Sequence, residues 1–219
     1  METNKRRLVA NILVDGRIGG PQKRVTQVAN LLNYSGWETL VIFPPMGPDL
    51  PQYLSKNGLR FKELKLSRLR RKYKLLSIIK YMLLLPHEIV GLIRVFKSYK
   101  VDLVHANSIF ALHAVIAARL YGCPVIWHFN DMALPRSLCI LVTATFGKLA
   151  SSRAYSSKQV MDYQRDKSIK TALLYPPVDM EKYNPKNTYN NILQHWPELS
   201  RKNNEIILLA IGNINPLKG

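Results

Sequence analysis

An α/β fold, built as a Rossmann-like parallel sheet with helices on both faces, is what this sequence predicts. Seven short apolar runs bounded by polar and turn-forming residues read as strands, and stretches of helical period separate most of them. Alternation at this spacing calls for parallel pairing, because each crossover helix carries the chain back to the starting edge of the sheet. The chain of 219 residues is 47% hydrophobic, enough to bury a sizeable core and too apolar for a disordered segment.

In order, the strands are expected at Leu8 to Val14, Thr39 to Phe43, Phe61 to Leu66, Leu103 to Ala106, Val125 to Phe129, Arg153 to Ser156 and Ala172 to Tyr175. Helical patterns fall at Gln22 to Leu32, Leu75 to Tyr99, Ala111 to Tyr121 and Arg136 to Ala150. Within the long apolar stretch 75–96, Lys80, Pro86, His87, Glu88 and Arg94 break the run. It therefore reads as two shorter helices, with Pro86 opening the second, and not as a membrane span. A last apolar run, Ile206 to Ile211, reads as a strand followed by the loop Asn213 to Gly219. No internal repeat or low-complexity segment interrupts this order.

Charge is the strongest compositional signal. The formal net charge is +18, and from Lys56 to Lys74 there are nine Lys or Arg against one acid, Glu63. A block like this is a solvated face or a site for an anionic partner, such as nucleic acid or lipid headgroups. Nucleic-acid recognition is disfavoured, since no recognition motif is present and aromatics do not interleave the basic run. Cys123 and Cys139 stand in apolar surroundings without CxxC or Cys/His spacing, so neither a disulfide framework nor a metal site is expected. With no signal-peptide pattern at the basic start, a cytoplasmic location is the expectation.

Ligands of such sheets bind at the carboxyl ends of the strands, so the loops there are the candidates. The first is "DGRIGGPQKR", in which Gly19 and Gly20 open a helix, allow close backbone approach and leave free N–H groups for an anion. It is neither a GxGxxG nor a Walker loop, which disfavours dinucleotide oxidoreduction and triphosphate chemistry. A tight strand-to-helix turn without a ligand is the other reading. The fifth strand ends in "IWHFND" and delivers His128 and Asp131 to the same edge, although a histidine there also serves as a hydrogen-bonded core residue. One strand earlier, "DLVHANS" brings His105, Asn107 and Ser108 to the same rim.

Five segments in order resemble the N-terminal half of a GT-B fold glycosyltransferase of the family-four-like retaining group. "IGGPQKRVTQVANLLNYSGWETLVI" resembles its Gly-Gly loop and first helix, "VDLVHANS" its fourth-strand segment, and "PVIWHFND" the strand with its active-site histidine. "AYSSKQVMDYQ" resembles its serine-led turn, with Lys158 after Ser157 where an acid is common. "LLYPPVDMEKYNP" resembles its interdomain segment, with Pro176 and Pro177 in place of Asn and Gly. The resemblance implies residues 1–180 as an acceptor-side domain, 181–204 as an interdomain linker, and 205–219 as the first strand and phosphate loop of a missing second, donor-binding domain. The family's pair of glutamates eight residues apart would lie in that second domain, and no such pair is found in residues 1–219.

What the resemblance implies for function is sugar transfer from a nucleotide-sugar donor to a glycan or lipid-linked acceptor with retention, the chain being inactive alone. Gly19, Gly20, Arg24 and Lys218 would hold the donor diphosphate, with Asn213 where many members carry a second cation. His128, set by a neighbour such as Asp131, would act at the donor sugar. His105, Asn107 and Ser108 would face the acceptor. No cofactor is implied, the nucleotide sugar entering as substrate, and no metal, since no Asp-x-Asp cluster occurs. The basic run followed by apolar helices suggests peripheral binding to an anionic membrane surface in cell-envelope polysaccharide synthesis. Alternatives are a non-catalytic binding module or a half-subunit that pairs with a separate C-terminal chain, for which an apolar edge at Ile206 to Ile211 would argue.

Overall fold

The computed structural model describes residues 6–67, 75–132, 134–164, 170–178, 180–181 and 184. Residues 1–177 form one compact unit and residues 178–219 another. The expected strand Ile206 to Ile211, the loop with Asn213 and Lys218, and most of the 181–204 linker lie outside the described residues.

Seven strands form one parallel sheet: β1 (Arg7–Ile12), β2 (Trp37–Phe43), β3 (Arg60–Glu63), β4 (Leu103–Asn107), β5 (Val125–Phe129), β6 (Ser152–Tyr155) and β7 (Thr171–Leu173). Their order is β3-β2-β1-β4-β5-β6-β7, every pair parallel. Six helices connect them: α1 (Gly20–Tyr34), α2 (Asp49–Lys56), α3 (Leu75–Tyr99), α4 (Leu112–Tyr121), α5 (Arg136–Phe146) and α6 (Lys158–Gln164). The chain winds outward from β1 to β3, then returns through α3 to β4 on the other side of β1. The strand order thus reverses between β1 and β4, the place where open α/β sheets bind their ligands at the strands' carboxyl ends.

Alternation along the strands sorts the core onto two faces. In β2, Leu40 and Ile42 join the larger cluster with Leu92 and Phe96 of α3 and Ala114 of α4. Val41 and Phe43 point the other way, to Val25 of α1 and Leu50 and Leu54 of α2. Each fully buried Leu or Phe contributes about 1.5–3 kcal/mol relative to exposure, so both faces are held by burial and not by propensity. The strand centres therefore read as continuous apolar runs, β1 burying five of its six residues.

Helix ends follow local chemistry. Pro21 lies in the first turn of α1, where its fixed φ suits the helix and its missing N–H costs nothing. Asp49 in the first turn of α2 and Lys56 in its last complement the helix dipole. Gly122 ends α4 at φ 89, a left-handed conformation that a residue with a Cβ resists.

Two helix expectations need correction. The stretch from Leu75 to Tyr99 is one helix of 25 residues and does not divide at Pro86. One lost hydrogen bond at the proline is outweighed by the burial of Tyr81, Glu88, Leu92, Val95 and Phe96 on the same helix. Helix α5 stops at Phe146, and Gly147–Leu149 is a short 3-10 turn. Helix α2 had no separate expectation. Strand ends shift by up to three residues, and β5 keeps its expected bounds. Among the described residues, no helix is long and apolar enough to cross a membrane.

Candidate functional site

The site is built at the carboxyl ends of β1, β4 and β5, where the first turn of α1 lies over the sheet. The loop from β1 is shaped before it reaches α1. A Cβ at Gly16 would collide with the Pro44 carbonyl, and the Gly16 N–H donates to Met46 Sδ at 3.3 Å. Gln22 Nε2 donates to the Asp15 carbonyl at 2.7 Å, and the Lys23 N–H to the Gly19 carbonyl at 3.1 Å. Gly19 is extended, and a Cβ on Gly20 would meet nothing within 4 Å, so this corner of the loop faces open space.

One turn into α1, Arg24 turns inward and is 8% exposed. Its NH2 donates to Asn107 Oδ1 at 2.7 Å and its NH1 to Asn130 Oδ1 at 2.8 Å. NH1 also lies 3.3 Å from His128 Nε2. Amides and an imidazole are its partners, so no carboxylate among the described residues neutralises the buried charge. Burial accordingly pulls the guanidinium below its usual pKa.

His128 is 1% exposed at the end of β5. Its Nδ1 lies 3.0 Å from Nε2 of His105, the two rings stacked with centroids 5.2 Å apart. Burial, then the Arg24 charge and then His105 push His128 down to about 2. His105, whose ring keeps some accessible surface, is held at about 3 by the atoms packed around it and by Arg24. Both imidazoles are neutral throughout the physiological range, which suits hydrogen bonding and not charge pairing.

The network closes through β1. Asn107, 2% exposed, donates from Nδ2 to Asn11 Oδ1 at 2.5 Å and to the Ile12 carbonyl at 3.1 Å. Asn11 Nδ2 lies 3.2 Å from His105 Nδ1. Ser108 follows at φ 83, an uncommon backbone for a non-glycine residue. Its N–H donates to the His128 carbonyl at 2.7 Å, and its own carbonyl accepts from Trp127 Nε1 at 3.0 Å.

The sequence-derived residues are thus distributed unevenly. Arg24, His105, Asn107 and His128 meet in one network, and Ser108 braces its backbone. The ring nitrogens of His128 engage His105 and Arg24, the places expected for a neighbour such as Asp131, which is itself exposed beyond β5. The hydrogen-bonding groups of His105 and Asn107 are already used inside the fold. Lys218 lies outside the described residues. Sequence reasoning missed Asn11 and Asn130. Asn11 carried a legible signal, since an amide inside the apolar strand "LVANIL" must be hydrogen-bonded. Among the described residues, no group of three His, Cys, Asp or Glu is placed to hold a metal ion, and both cysteines are free. A separate cleft of about 460 Å³ lies at the opposite, amino ends of β1 and β2, lined by Arg6, Trp37 and Arg60 among others.

Solved structures share this architecture. A glycosyltransferase from Rickettsia africae matches at TM-score 0.65 with 17% identity, covering 88% of this chain and 49% of that one. A UDP-GlcNAc 2-epimerase from Neisseria meningitidis, bound to UDP-GlcNAc, matches at TM-score 0.55 and 16% identity over 88% of this chain and 54% of its own. A sucrose-phosphate synthase chain from Thermosynechococcus elongatus matches at TM-score 0.56 and 16% identity, over 88% of this chain and 99% of that one. These likenesses show the GT-B type of Rossmann-like fold, and this chain spans about half the length of the first two. No curated protein sequence matches it. The family described as glycosyl transferase 4-like domain matches residues 19–159, a span running from the Gly19 loop through β6 into α6, and the chain belongs to that family.

Proposed function

We propose that this domain is the acceptor-side half of a retaining glycosyltransferase, which moves a sugar from a nucleotide-sugar donor to a glycan or lipid-linked acceptor in cell-envelope synthesis. The observation that carries this reading is Arg24, a buried cation with only neutral partners, beside an open glycine corner at the carboxyl edge of the sheet. A cation in that setting gains from an incoming anion, and sugar–diphosphate cleavage develops negative charge on its leaving group. In this reading Gly19, Gly20 and Arg24 serve the diphosphate, His128 meets the donor sugar, and Ser108 lies toward the acceptor. His105 and Asn107 then work from behind, through His128 and Arg24.

Nucleoside diphosphate release tests the reading. The polypeptide as synthesised in its native cell is given a panel of nucleotide sugars and a glycolipid extract. Arg24→Ala should lower release by about 100-fold or more, the usual cost of losing one fixed charge-stabilising donor. Release unaffected by that substitution would sink the proposal.

The same reading places the domain against an anionic membrane surface. Leu76, Met82 and Leu83 on α3 are 79%, 57% and 74% exposed, with Lys80 exposed among them. Such a face beside a basic run suits an interfacial helix, each basic residue adding about 1 kcal/mol near an anionic leaflet. Co-sedimentation with phosphatidylserine vesicles at low salt should be strong and should fall on Leu76→Ser with Leu83→Ser. Equal sedimentation with and without those changes would remove α3 from the interface.

A further inference from the structure

The five side chains of the site form a closed ring: Arg24, Asn107, Asn11, His105, His128 and back to Arg24. Its hydrogen-bond roles can be followed from one end. Asn107 is fixed, because Oδ1 accepts from Arg24 while Nδ2 donates to the Ile12 carbonyl. The short Asn107–Asn11 contact then requires Asn11 to present Oδ1 there, which turns Asn11 Nδ2 toward His105 Nδ1. An amide N–H₂ can only donate, so His105 accepts at Nδ1 and carries its proton on Nε2. That proton faces His128 Nδ1, which accepts in turn. The His128 proton is thereby forced onto Nε2, where Arg24 NH1 already aims a donor.

The ring therefore holds one donor too many, and the conflict falls at its longest link, the 3.3 Å between Arg24 NH1 and His128 Nε2. Two donors that converge without an acceptor between them are satisfied by an oxygen entering from outside. We infer that His105 is a positioning residue: with Asn11 it fixes His128 as the Nε2–H tautomer, so that His128 and Arg24 present two donors to one ligand oxygen. The catalytic use of that oxygen rests on the proposed sugar transfer, whereas the tautomer does not. Asn11, and not an aspartate, is what keeps the surplus. A carboxylate there would accept from both Asn107 and His105, reverse each proton downstream, and leave His128 Nε2 as an acceptor for Arg24.

Imidazole ¹⁵N–¹H spectra of the 219-residue chain at neutral pH test this, the rings being assigned with single-histidine variants. Wild type should show pyrrole-type Nε2 and pyridine-type Nδ1 for both His105 and His128. Asn11→Asp should invert both, and His105→Phe should invert His128 alone by removing the donor to its Nδ1. Either variant suffices if the other fails to fold. A wild-type His128 protonated on Nδ1, or a His128 tautomer unmoved in a folded variant, overturns the inference. Absence of sugar transfer by the wild type would defeat the proposed function and leave the tautomer result standing. With transfer present, Asn11→Asp should lower turnover at least tenfold, and unchanged turnover despite an inverted tautomer overturns the positioning role.

Discussion

Arg24 NH2 donates to Asn107 Oδ1 at 2.7 Å, joining the second turn of α1 to the end of β4 across 83 positions of chain. This bond spans the place where the sheet reverses its winding. It ties the glycine loop to the two histidine-bearing strands, so the site depends on tertiary closure and not on any one loop.

Arg24→Lys should show how much of that closure needs the guanidinium fork. A lysine keeps the charge but lacks the planar fork that holds Asn107 and Asn130 together, so one of the two amide oxygens loses its donor. The expected loss is about 1–3 kcal/mol in urea unfolding. A variant as stable as wild type would mean that water replaces the missing donor.

Acid should destabilise the fold through its histidines. His105, His113 and His128 stand at about 3, 4 and 2 in the fold, against an unfolded value near 6.5. The unfolded chain binds protons that the native state refuses, so stability rises with pH in this window and is lost as pH falls from about 6.5 toward 4. Glu88, held above its usual range mainly by burial, carries the opposite sign, because its native carboxyl keeps a proton that the unfolded chain releases. Unfolding near pH 5 should therefore take up protons on balance, each histidine kept neutral in the fold adding up to about 1.4 kcal/mol of stability per pH unit. Denaturant unfolding at pH 7, 6 and 5 measures it. A flat profile would show that the histidines titrate normally.

His113 has a cost that substitution can remove. It is fully buried between α3 and α4, neither ring nitrogen has a hydrogen-bond partner, and Nδ1 stands 3.8 Å from Glu88 Oε2. Glu88 Oε1 meanwhile accepts from the Ser67 N–H at 2.7 Å. His113→Leu should raise stability by about 1–2 kcal/mol, since an unpaired polar ring is replaced by an apolar side chain of similar volume. Differential scanning calorimetry would register a Tm increase of about 2–8 °C. A lower Tm would reveal a buried water that bridges His113 and Glu88.

Gly16→Ala probes the loop ahead of α1. The added methyl meets the Pro44 carbonyl, a backbone atom that cannot step aside alone, so the β1 loop must move. About 1–3 kcal/mol of stability should be lost, as in other overpacked sites, with lower donor affinity if the loop carries the diphosphate. Gly20→Ala, which meets nothing, is the control and should stay within about 0.5 kcal/mol of wild type.

The sequence alone determined the strands and their parallel pairing. Those features follow from local periods: Leu40 and Ile42 separate from Val41 and Phe43 by the two-residue repeat of a strand, whatever lies far away. Val125–Phe129 is legible to the residue because Pro124 opens its run and Asn130 closes it. Pro86 misled because a propensity of one residue was weighed against burial that only the folded helix supplies. His128 and Arg24 could each be singled out by position. That they share a link, through Asn11, Asn107 and His105, was decided only when β4 crossed to the far side of β1 and brought side chains 83 to 106 positions apart within hydrogen-bonding distance. No local pattern encodes such a ring, since each residue in it is specified by partners at the other end of the chain.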